Sequence, residues 1–404
     1  MERSYADMPL HYGKVPPWLY TRMGKLGVAI TEAIVHEYGR AAFLQRISHP
    51  AWFQALGCVL GMDWHSSGIT TSVLGALKRT VNERAHELGI YICGGKGKHS
   101  RETPAELQRI ADATGLDGSA LARNSRLTAK VDNTGIQDGY NIYLHSFILS
   151  ADGDWAVIQQ GMNDANGMAR RYHWHSPAIR SFTEEPHTFI YGQQQGPILN
   201  ITDRQAAGTR SGVLQLVQEP PEKLMSEIRK ILMPRHHDVK RKDVDLKRLA
   251  GVLAVAHERR GPDMASLLLL EGLGPRTLRS LVLVSEVIHG TPSRFDDPAR
   301  FSFAHGGKDG HPFPVPTIVY DEAIHTLRTA IERAKLGNTD KSDAIKGLSK
   351  AAQLLEKDIV PDNRRFEELI EQERKDSWKY GGRTVMGKAL PPSAPVTASQ
   401  LSLF

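Results

Sequence analysis

The stretch Tyr140-Asn-Ile-Tyr-Leu-His-Ser-Phe-Ile-Leu149 decides the fold class that the sequence predicts, together with the run Trp155-Ala-Val-Ile-Gln159 that follows it. Both runs are rich in β-branched and aromatic residues, which favour extended strands. Between them, Ala151-Asp-Gly-Asp154 has the composition of a tight turn. The sequence therefore predicts an antiparallel hairpin, and it predicts further short strands at residues 187–191 and 198–201.

Helical periodicity dominates the chain on both sides of this hairpin. Before it, Leu26, Ile30 and Ile34 recur at helical spacing within residues 17–90, a stretch that reads as helical. Thr103-Pro-Ala-Glu106 predicts the start of another helix, with threonine as the N-cap and proline at the first helical position. After residue 218 strand signals nearly vanish, and helices are predicted at residues 263–270, 275–288, 320–335, 342–357 and 362–378.

These patterns predict an α+β fold with two domains and a tail. Residues 1–218 are expected to form a mixed α/β domain with a small, mainly antiparallel sheet, and residues 219–384 are expected to form an all-α domain. Residues 385–404 are expected to be a flexible tail. The stretch Ala389-Leu-Pro-Pro-Ser-Ala-Pro-Val-Thr-Ala-Ser399 favours this, because it contains prolines and small residues and has little to bury.

The chain of 404 residues is mildly basic, with 51 Lys and Arg against 45 Asp and Glu and a net charge of +6. This balance suits a polyanionic partner but does not require one. The two cysteines, Cys58 and Cys93, lack Cys-x-x-Cys spacing, which favours a reducing cytoplasm over a disulfide framework or a zinc ribbon. The first residues lack an apolar signal core and no stretch approaches roughly 18 apolar residues, so no membrane partner is expected.

The tail ends in Gln400-Leu401-Ser402-Leu403-Phe404, which resembles the sliding-clamp-binding motif of bacterial replication and repair proteins at all five positions. The resemblance implies that Leu403 and Phe404 fill an apolar pocket, that Leu401 touches its rim and that Gln400 forms a hydrogen bond outside it. A short peptide that orders on binding should bind with an affinity on the order of micromolar. The expected partners are the clamp and DNA, in the nucleoid of a bacterial cytoplasm. The alternative is a frayed end that is apolar by chance.

The run Leu267-Leu-Leu-Leu-Glu-Gly-Leu-Gly-Pro-Arg-Thr-Leu-Arg-Ser-Leu281 resembles a helix-hairpin-helix, a non-specific DNA-binding module of many repair proteins, here assigned to residues 263–288. Glycine permits the tight turn, and free N–H groups at the start of the second helix favour a phosphate. The alternative is a corner used only for packing. The residues expected to contact DNA are Gly272, Gly274, Arg276, Thr277 and Arg279.

Several motifs in the first 200 residues resemble the family catalogued as domain of unknown function 763. They are His11-Tyr-Gly-Lys14, Trp52-Phe-Gln-Ala-Leu-Gly-Cys58, Asp63-Trp-His-Ser-Ser-Gly68, Gly94-Gly-Lys-Gly-Lys98, Lys130-Val-Asp132, Gln137-Asp-Gly-Tyr140, Gln159-Gln-Gly-Met-Asn163 and Ala169-Arg-Arg-Tyr-His-Trp174. The likeness covers nearly the whole chain except the tail. It implies no activity, so the function is argued from the residues.

The glycine-rich stretch Gly94-Gly-Lys-Gly-Lys98 follows an apolar run and carries two lysines, Lys96 and Lys98, that could neutralise phosphate. It is not a Walker loop, because Gly-x-x-x-x-Gly-Lys-Ser/Thr is absent, and no nucleotide or organic cofactor is expected. If the stretch binds a ligand, a DNA backbone is favoured. The alternative is a glycine turn with solvated lysines.

Acidic, histidine and glutamine side chains accompany the predicted hairpin and could serve catalysis. They are His145, Asp138, Asp154, Gln160, His173 and His65. Such a set could bind Mg²⁺ or Mn²⁺, with Asp138, Asp154 and His173 as ligands, and activate water for phosphodiester hydrolysis. The chain departs from the Asp…Glu-x-Lys pattern of metal-dependent nucleases, since glutamines stand where Glu-x-Lys would fall. A lone histidine in an apolar strand is also more often a packed core residue.

Two functions fit these features. The first is a metal-dependent nuclease that acts in DNA repair or replication and is recruited by the sliding clamp, with residues 1–218 as the catalytic core. The second is a non-catalytic DNA-binding adaptor tethered to the clamp. RNA handling is a third possibility that the tail disfavours. In an enzyme four of these side chains, His145, Asp138, Asp154 and His173, should converge in a cleft near the stretch Gly94-Gly-Lys-Gly-Lys98. In an adaptor they should scatter, or be buried with their hydrogen bonds satisfied.

Overall fold

The computed structural model has the α+β architecture that the sequence predicts, with helices against a small antiparallel sheet. It describes residues 8, 15–63, 66–193, 195–222, 224–225, 246–258, 263–291, 293, 297–299, 317–334, 336–356, 383–384 and 387–388. His65, the predicted helix at 362–378 and the clamp-binding peptide at 400–404 lie outside these described residues. The chain divides into two compact units, residues 1–352 and 353–404.

Helices come before the first strand, as the apolar periodicity predicts. They are α1 (Pro17–Ile47), α2 (Pro50–Val59), α3 (Gly68–Asn82) and α4 (Ala85–Leu88). Proline stands at the start of α1 and of α2, where its missing N–H costs no hydrogen bond. Gly39 interrupts α1 with a φ of 85°, and Gly89 ends α4 in the left-handed conformation.

Antiparallel strands form the main sheet and a small second pair. The strands are β1 (Ile90–Lys96), β2 (Ile136–Gln137), β3 (Asn141–Ser150), β4 (Trp155–Asn163), β5 (Met168–His175), β6 (Phe189–Tyr191) and β7 (Leu199–Asn200). The order across the main sheet is β1-β3-β4-β5-β6, and β2 pairs with β7. The predicted hairpin is β3–β4, and the predicted short strands are β6 and β7.

The remaining helices lie between the strands and after them. They are α5 (Lys98–Thr114), α6 (Gly118–Lys130), α7 (Ala207–Gln218), α8 (Leu246–Glu258), α9 (Met264–Leu268), α10 (Pro275–His289), α11 (Thr317–Arg333) and α12 (Asn338–Glu356). A π-helical turn, Val131–Gly135, continues α6. The last four helices confirm four of the five predicted after residue 218. In the second unit β8 (Arg383–Thr384) pairs with β9 (Gly387–Lys388).

Helices cover both faces of the main sheet. Because side chains alternate along a strand, Phe147 and Val157 join one apolar cluster with residues of α5 to α10, and Ile148 and Ile158 join another with residues of α1, α2, α3, α11 and α12. Full burial of one such side chain is worth about 1.5–3 kcal/mol, so these two clusters supply the main stabilising term. No helix in the described part of the chain is long and apolar enough to cross a membrane.

The predicted domain boundary after residue 218 falls inside the first compact unit. Leu216 and Val217, just before it, belong to the same apolar cluster as Val252 and Leu281, well after it. A domain boundary at residue 218 would mean that the parts before and after it fold independently, and this stays a prediction.

Helix α5 begins six residues earlier than predicted, at Lys98. The hydroxyl of Thr103 donates to the Ser100 carbonyl at 2.9 Å, which replaces the N–H that Pro104 lacks. Glu106, which stands three residues after Thr103 at the position of a capping-box partner, instead accepts from the Gly94 N–H at 2.6 Å. The predicted N-cap at Thr103 is therefore wrong, because these side chains have partners that local spacing does not reveal.

Side chains occupy the outer edge of β1. Asn82 binds both backbone groups of Ile92: its Nδ2 donates to the carbonyl and its Oδ1 accepts from the N–H, each at 2.8 Å. Glu106 accepts from the Gly94 N–H, and Lys78 donates to the Gly94 carbonyl at 2.8 Å. Unpaired edge groups would invite another strand. Here Asn82 and the Lys78–Glu106 ion pair take that place.

Candidate functional site

The turn between α9 and α10 has the geometry that its glycine spacing predicts. Gly272 has a φ of 83°, in the left-handed region that favours glycine. Leu270 and Leu273 flank it and are each 1 % exposed, so the turn is anchored in the apolar core. At the start of α9, the Asp263 side chain accepts from the Ser266 N–H at 2.6 Å. We call residues 263–289 the hairpin.

The start of α10 is open to an anion. Gly274 is its N-cap residue and supplies no capping side chain. The N–H groups of Arg276 and Thr277 precede the first hydrogen bond of the helix, from Leu278 to the Gly274 carbonyl. Pro275 and Arg276 are exposed, whereas Thr277 is buried. A helix start of this kind carries a partial positive charge and outward N–H groups.

Lys130 and Gln137, which precede strand β3 in the chain, form hydrogen bonds to this turn and hold it in place. The ammonium of Lys130 donates to the Leu273 carbonyl at 2.7 Å. The Gln137 side chain donates to the Pro275 carbonyl at 2.8 Å and accepts from the Arg279 guanidinium at 3.0 Å. Arg279, a predicted DNA contact, is therefore engaged within the protein. No spacing in the sequence links these pairs, which lie more than 130 residues apart.

Lys96 and Lys98 lie where β1 passes into α5, on either side of Gly97. Both are exposed, and the Lys96 ammonium lies 5.5 Å from the centre of the Tyr143 ring. Gly94 has a packing reason of its own: a Cβ there would lie 2.2 Å from the His145 carbonyl oxygen. Gly94 thus permits the close approach of β1 to β3, and the two lysines remain candidates for phosphate.

His145 is buried on the α5–α10 side of the sheet, and both of its ring nitrogens have partners. Nδ1 lies 3.0 Å from Oε1 of Gln159, and Nε2 lies 2.9 Å from the hydroxyl of Ser125. Burial lowers the pKa of His145 to about 4. The imidazole is therefore neutral at pH 7 and fixed between two polar neighbours.

Gln159 joins His145 to a buried carboxylate, Asp132, in the π-helical turn. Asp132 accepts hydrogen bonds from the Gln159 amide, from the Trp174 indole at 3.0 Å and from the His187 ring at 2.5 Å. Burial raises the pKa of Asp132, and the charge of His187 opposes that rise. Sequence reasoning did not single out Asp132 or His187, although Asp132 lies in a family motif.

Asp138 belongs to a different buried cluster. Its carboxylate accepts from the Arg170 guanidinium at 2.8 Å and from the Tyr172 hydroxyl at 2.5 Å. Arg170 also binds Asp297, at 2.7 and 2.9 Å. Burial raises the pKa of Asp138, and the charge of Arg170 opposes it. These carboxylate oxygens are thus committed to an internal ion pair.

Gln160 and His173 lie on the opposite face of the sheet from His145. The Gln160 amide accepts from Thr70 and donates to the Ser67 carbonyl at 3.0 Å. His173 accepts from the Arg171 guanidinium at 2.9 Å. Burial, and after it the charge of Arg171, holds the pKa of His173 well below its usual range.

The structure does not bring the described catalytic candidates together. Asp154 lies at the β3–β4 turn, where its carboxylate is 3.4 Å from the Ser176 hydroxyl, and the others occupy the three buried clusters above. In the part of the chain that is described, no group of three or more His, Cys, Asp or Glu residues is arranged to hold a metal ion. Grooves of about 350 and 290 Å³ lie beside β1 and between α1, α2 and α12. Neither is lined by one of the five described candidates.

A family model described as protein of unknown function (DUF763) matches residues 4–315. The chain belongs to this family. The match contains all the motifs named above as resembling it, as well as the hairpin, and it excludes the clamp-binding peptide. No curated protein and no solved structure matches the chain. Family membership therefore brings no activity, and the function has to be argued from the geometry.

Proposed function

We propose that this protein is a DNA-binding protein that holds the duplex by its phosphates through the hairpin. The observation that carries the proposal is the open start of α10, where Arg276 is exposed beside N–H groups that precede the first helical hydrogen bond. A phosphate accepts such hydrogen bonds and is stabilised by the helix dipole. Contacts of this kind read no bases, so binding is independent of sequence.

Positive charge near the turn supports this assignment. Lys130 places an ammonium at the Leu273 carbonyl, and Arg276 and Arg279 are the second and fifth residues of α10. Lys96 and Lys98 are a further exposed pair. An exposed carboxylate, Glu271, opposes these charges at the turn.

Among the two activities considered, the geometry favours the non-catalytic adaptor. A hydrolytic site needs side chains that share a cleft with water and substrate. His145 and Asp138 are only 3 and 4 % exposed, and they belong to separate clusters in which neighbours use their polar atoms. Metal-dependent cleavage of DNA stays a prediction with its own assay: pure protein with nicked, branched and single-stranded DNA and Mg²⁺ or Mn²⁺. Cleavage that is lost in Asp138→Asn would contradict the adaptor assignment.

Recruitment by the bacterial sliding clamp is the second part of the proposal. Its support is the five-residue match at 400–404 in the sequence. A tether of this kind raises the local concentration of the hairpin at DNA, up to the millimolar range for a short linker. Weak, sequence-independent binding of DNA by the hairpin is then sufficient.

The DNA assignment is tested by fluorescence anisotropy with duplexes of two unrelated sequences. Arg276→Glu should weaken binding to both by about tenfold or more, because it places a carboxylate where a phosphate binds. Arg328→Glu is the control, since Arg328 is also an exposed arginine but lies on α11, where it pairs with Glu332. Equal affinity of the Arg276→Glu protein and the wild type would refute the hairpin assignment. Tighter binding of structured RNA than of duplex DNA would favour RNA instead.

A further inference from the structure

We infer that Arg123 and Arg126 of α6 form a second phosphate-binding surface that continues from the hairpin turn. The inference rests on the proposed function, because it assigns more of the same ligand to a neighbouring element. It adds two residues that lie outside the helix-hairpin-helix run and outside the family motifs named above.

The first step is the spacing along α6. Arg123, Arg126 and Lys130 are separated by three and four residues, so they lie along one side of the helix. The Lys130 end of this stripe contacts the hairpin, through the 2.7 Å hydrogen bond to Leu273. The hairpin turn therefore lies at the Lys130 end of the side of α6 that carries the arginines.

The second step places the other end of the stripe. Hydrogen bonds from Ser266 are the main cause of the lowered pKa of Asp263, and the charge of Arg123 adds to that lowering. Helix α6 also packs against α9, the first helix of the hairpin, which agrees with a position of Arg123 near the residue that begins the hairpin. The stripe therefore lies on a helix that contacts the hairpin both at α9 and at the turn.

The third step is that both arginines are available. Arg123 and Arg126 are exposed, and within the described residues neither forms an ion pair with an acid. Some other surface arginines do have such a partner, as Arg22 has Asp340 and Arg84 has Glu32. An unpaired guanidinium keeps its donors free for a phosphate, which it can bind in a bidentate manner.

The dimensions suit a DNA strand. Seven residues of helix separate Arg123 from Lys130, a rise of about 10 Å. Phosphates of one strand follow each other at about 3.4 Å along the duplex axis, so the stripe spans roughly three of them. The helix dipole favours cations only in the last turn of α6. Arg123 lies before that turn, so the dipole does not explain its position.

The test compares the full chain with Arg123→Ala/Arg126→Ala across a series of salt concentrations. Loss of two phosphate contacts should reduce the slope of log Kd against log salt by about 1.8 and weaken binding at low salt by about tenfold. Arg123→Lys/Arg126→Lys keeps both charges and should keep the slope. Arg328→Ala controls for loss of an exposed arginine on another surface. Circular dichroism checks that each variant is folded.

The outcomes separate this inference from the proposed function. If Arg276→Glu abolishes binding while the alanine pair leaves affinity and slope unchanged, the second surface is refuted and the hairpin stands. If the wild-type protein binds no duplex, both are refuted. If the alanine pair unfolds, Arg123→Gln/Arg126→Gln decides, because it removes both charges and keeps long polar side chains: a slope reduced by about 1.8 supports the second surface, and a slope equal to that of the wild type refutes it.

Discussion

The ammonium of Lys130 donates a hydrogen bond of 2.7 Å to the Leu273 carbonyl and so joins the end of α6 to the hairpin turn. Lys130→Met keeps most of the apolar stem and removes this bond. We expect the free energy of unfolding to fall by about 1–2 kcal/mol, and the amides of the turn to exchange faster with solvent. DNA affinity should fall by about threefold, because a positive charge beside the turn is lost and the start of α10 is less well positioned.

Lys346→Met is the control for this change, since Lys346 is an exposed lysine on α12. Hydrogen exchange followed by mass spectrometry on peptides that cover residues 269–278 measures the effect. Equal exchange in the two variants would show that Lys130 does not hold the turn.

The buried imidazole of His145 makes stability depend on pH. Its pKa is lowered from 6.5 to about 4 in the folded protein. Above pH 6.5 the ring is neutral in both states, so its full contribution is present. As the pH falls toward 4, the unfolded chain takes up a proton that the folded chain does not, and stability is lost. By pH 5 this amounts to about 2 kcal/mol.

His145→Asn should remove about 2 kcal/mol of the difference in unfolding free energy between pH 7 and pH 5, measured by urea denaturation. Burial also lowers the pKa of His49 to about 4, so part of the dependence should remain. His36→Asn replaces an exposed histidine and should leave the dependence as it is. An identical dependence in the wild type and in His145→Asn would contradict the burial of a neutral imidazole.

Asn82 protects the outer edge of β1. Asn82→Ala leaves the N–H and carbonyl of Ile92 without the partners that they have at 2.8 Å. We expect a loss of about 1–3 kcal/mol and self-association through the opened edge, seen by light scattering after size exclusion. Glu83→Ala changes an exposed neighbour and should have no such effect. An Asn82→Ala protein with the same molar mass in solution as the wild type, and with the same rate of amide hydrogen exchange at Ile92, would contradict this role.

The clamp-binding peptide, residues 400–404, can be tested by substitution of its two apolar anchors. Leu403→Ala/Phe404→Ala should reduce binding to a bacterial sliding clamp at least tenfold, because two apolar anchors are lost. Ser402→Asp is a matched control, since the motif accepts serine or aspartate at that position. Binding by surface plasmon resonance that is equal in all three proteins would refute the tether.

Much of the fold was predictable, because the elements that decided it carry local signals. The β3–β4 hairpin has apolar runs around a Gly153 turn, with a φ of 92° at that glycine, and α10 has proline at its start. Strand β5 was not predicted as a strand. Its sequence contains Arg170, Arg171 and His173, which look like surface residues and are in fact fully buried.

The candidate sites also differ in how much of them local sequence signals could predict. The turn at Gly272 could be read from spacing, since the left-handed conformation there requires glycine. The buried ion pair of Asp138 could not be predicted from spacing, because its partner Arg170 lies 32 residues away. Asp297, the second acid that binds Arg170, lies 127 residues after Arg170. Buried ion pairs are settled by tertiary packing, and an isolated acid or histidine in the sequence does not reveal its partner.

The central claim, that the hairpin binds phosphate, is tested most directly by two substitutions of opposite charge on the same turn. Arg276 and Glu271 are both exposed, so neither glutamine variant should disturb the fold. The dissociation constant for a duplex at 100 mM salt should rise for Arg276→Gln and fall for Glu271→Gln, each by about threefold or more. If both constants equal that of the wild type, or both move in the same direction, the hairpin does not bind the DNA backbone.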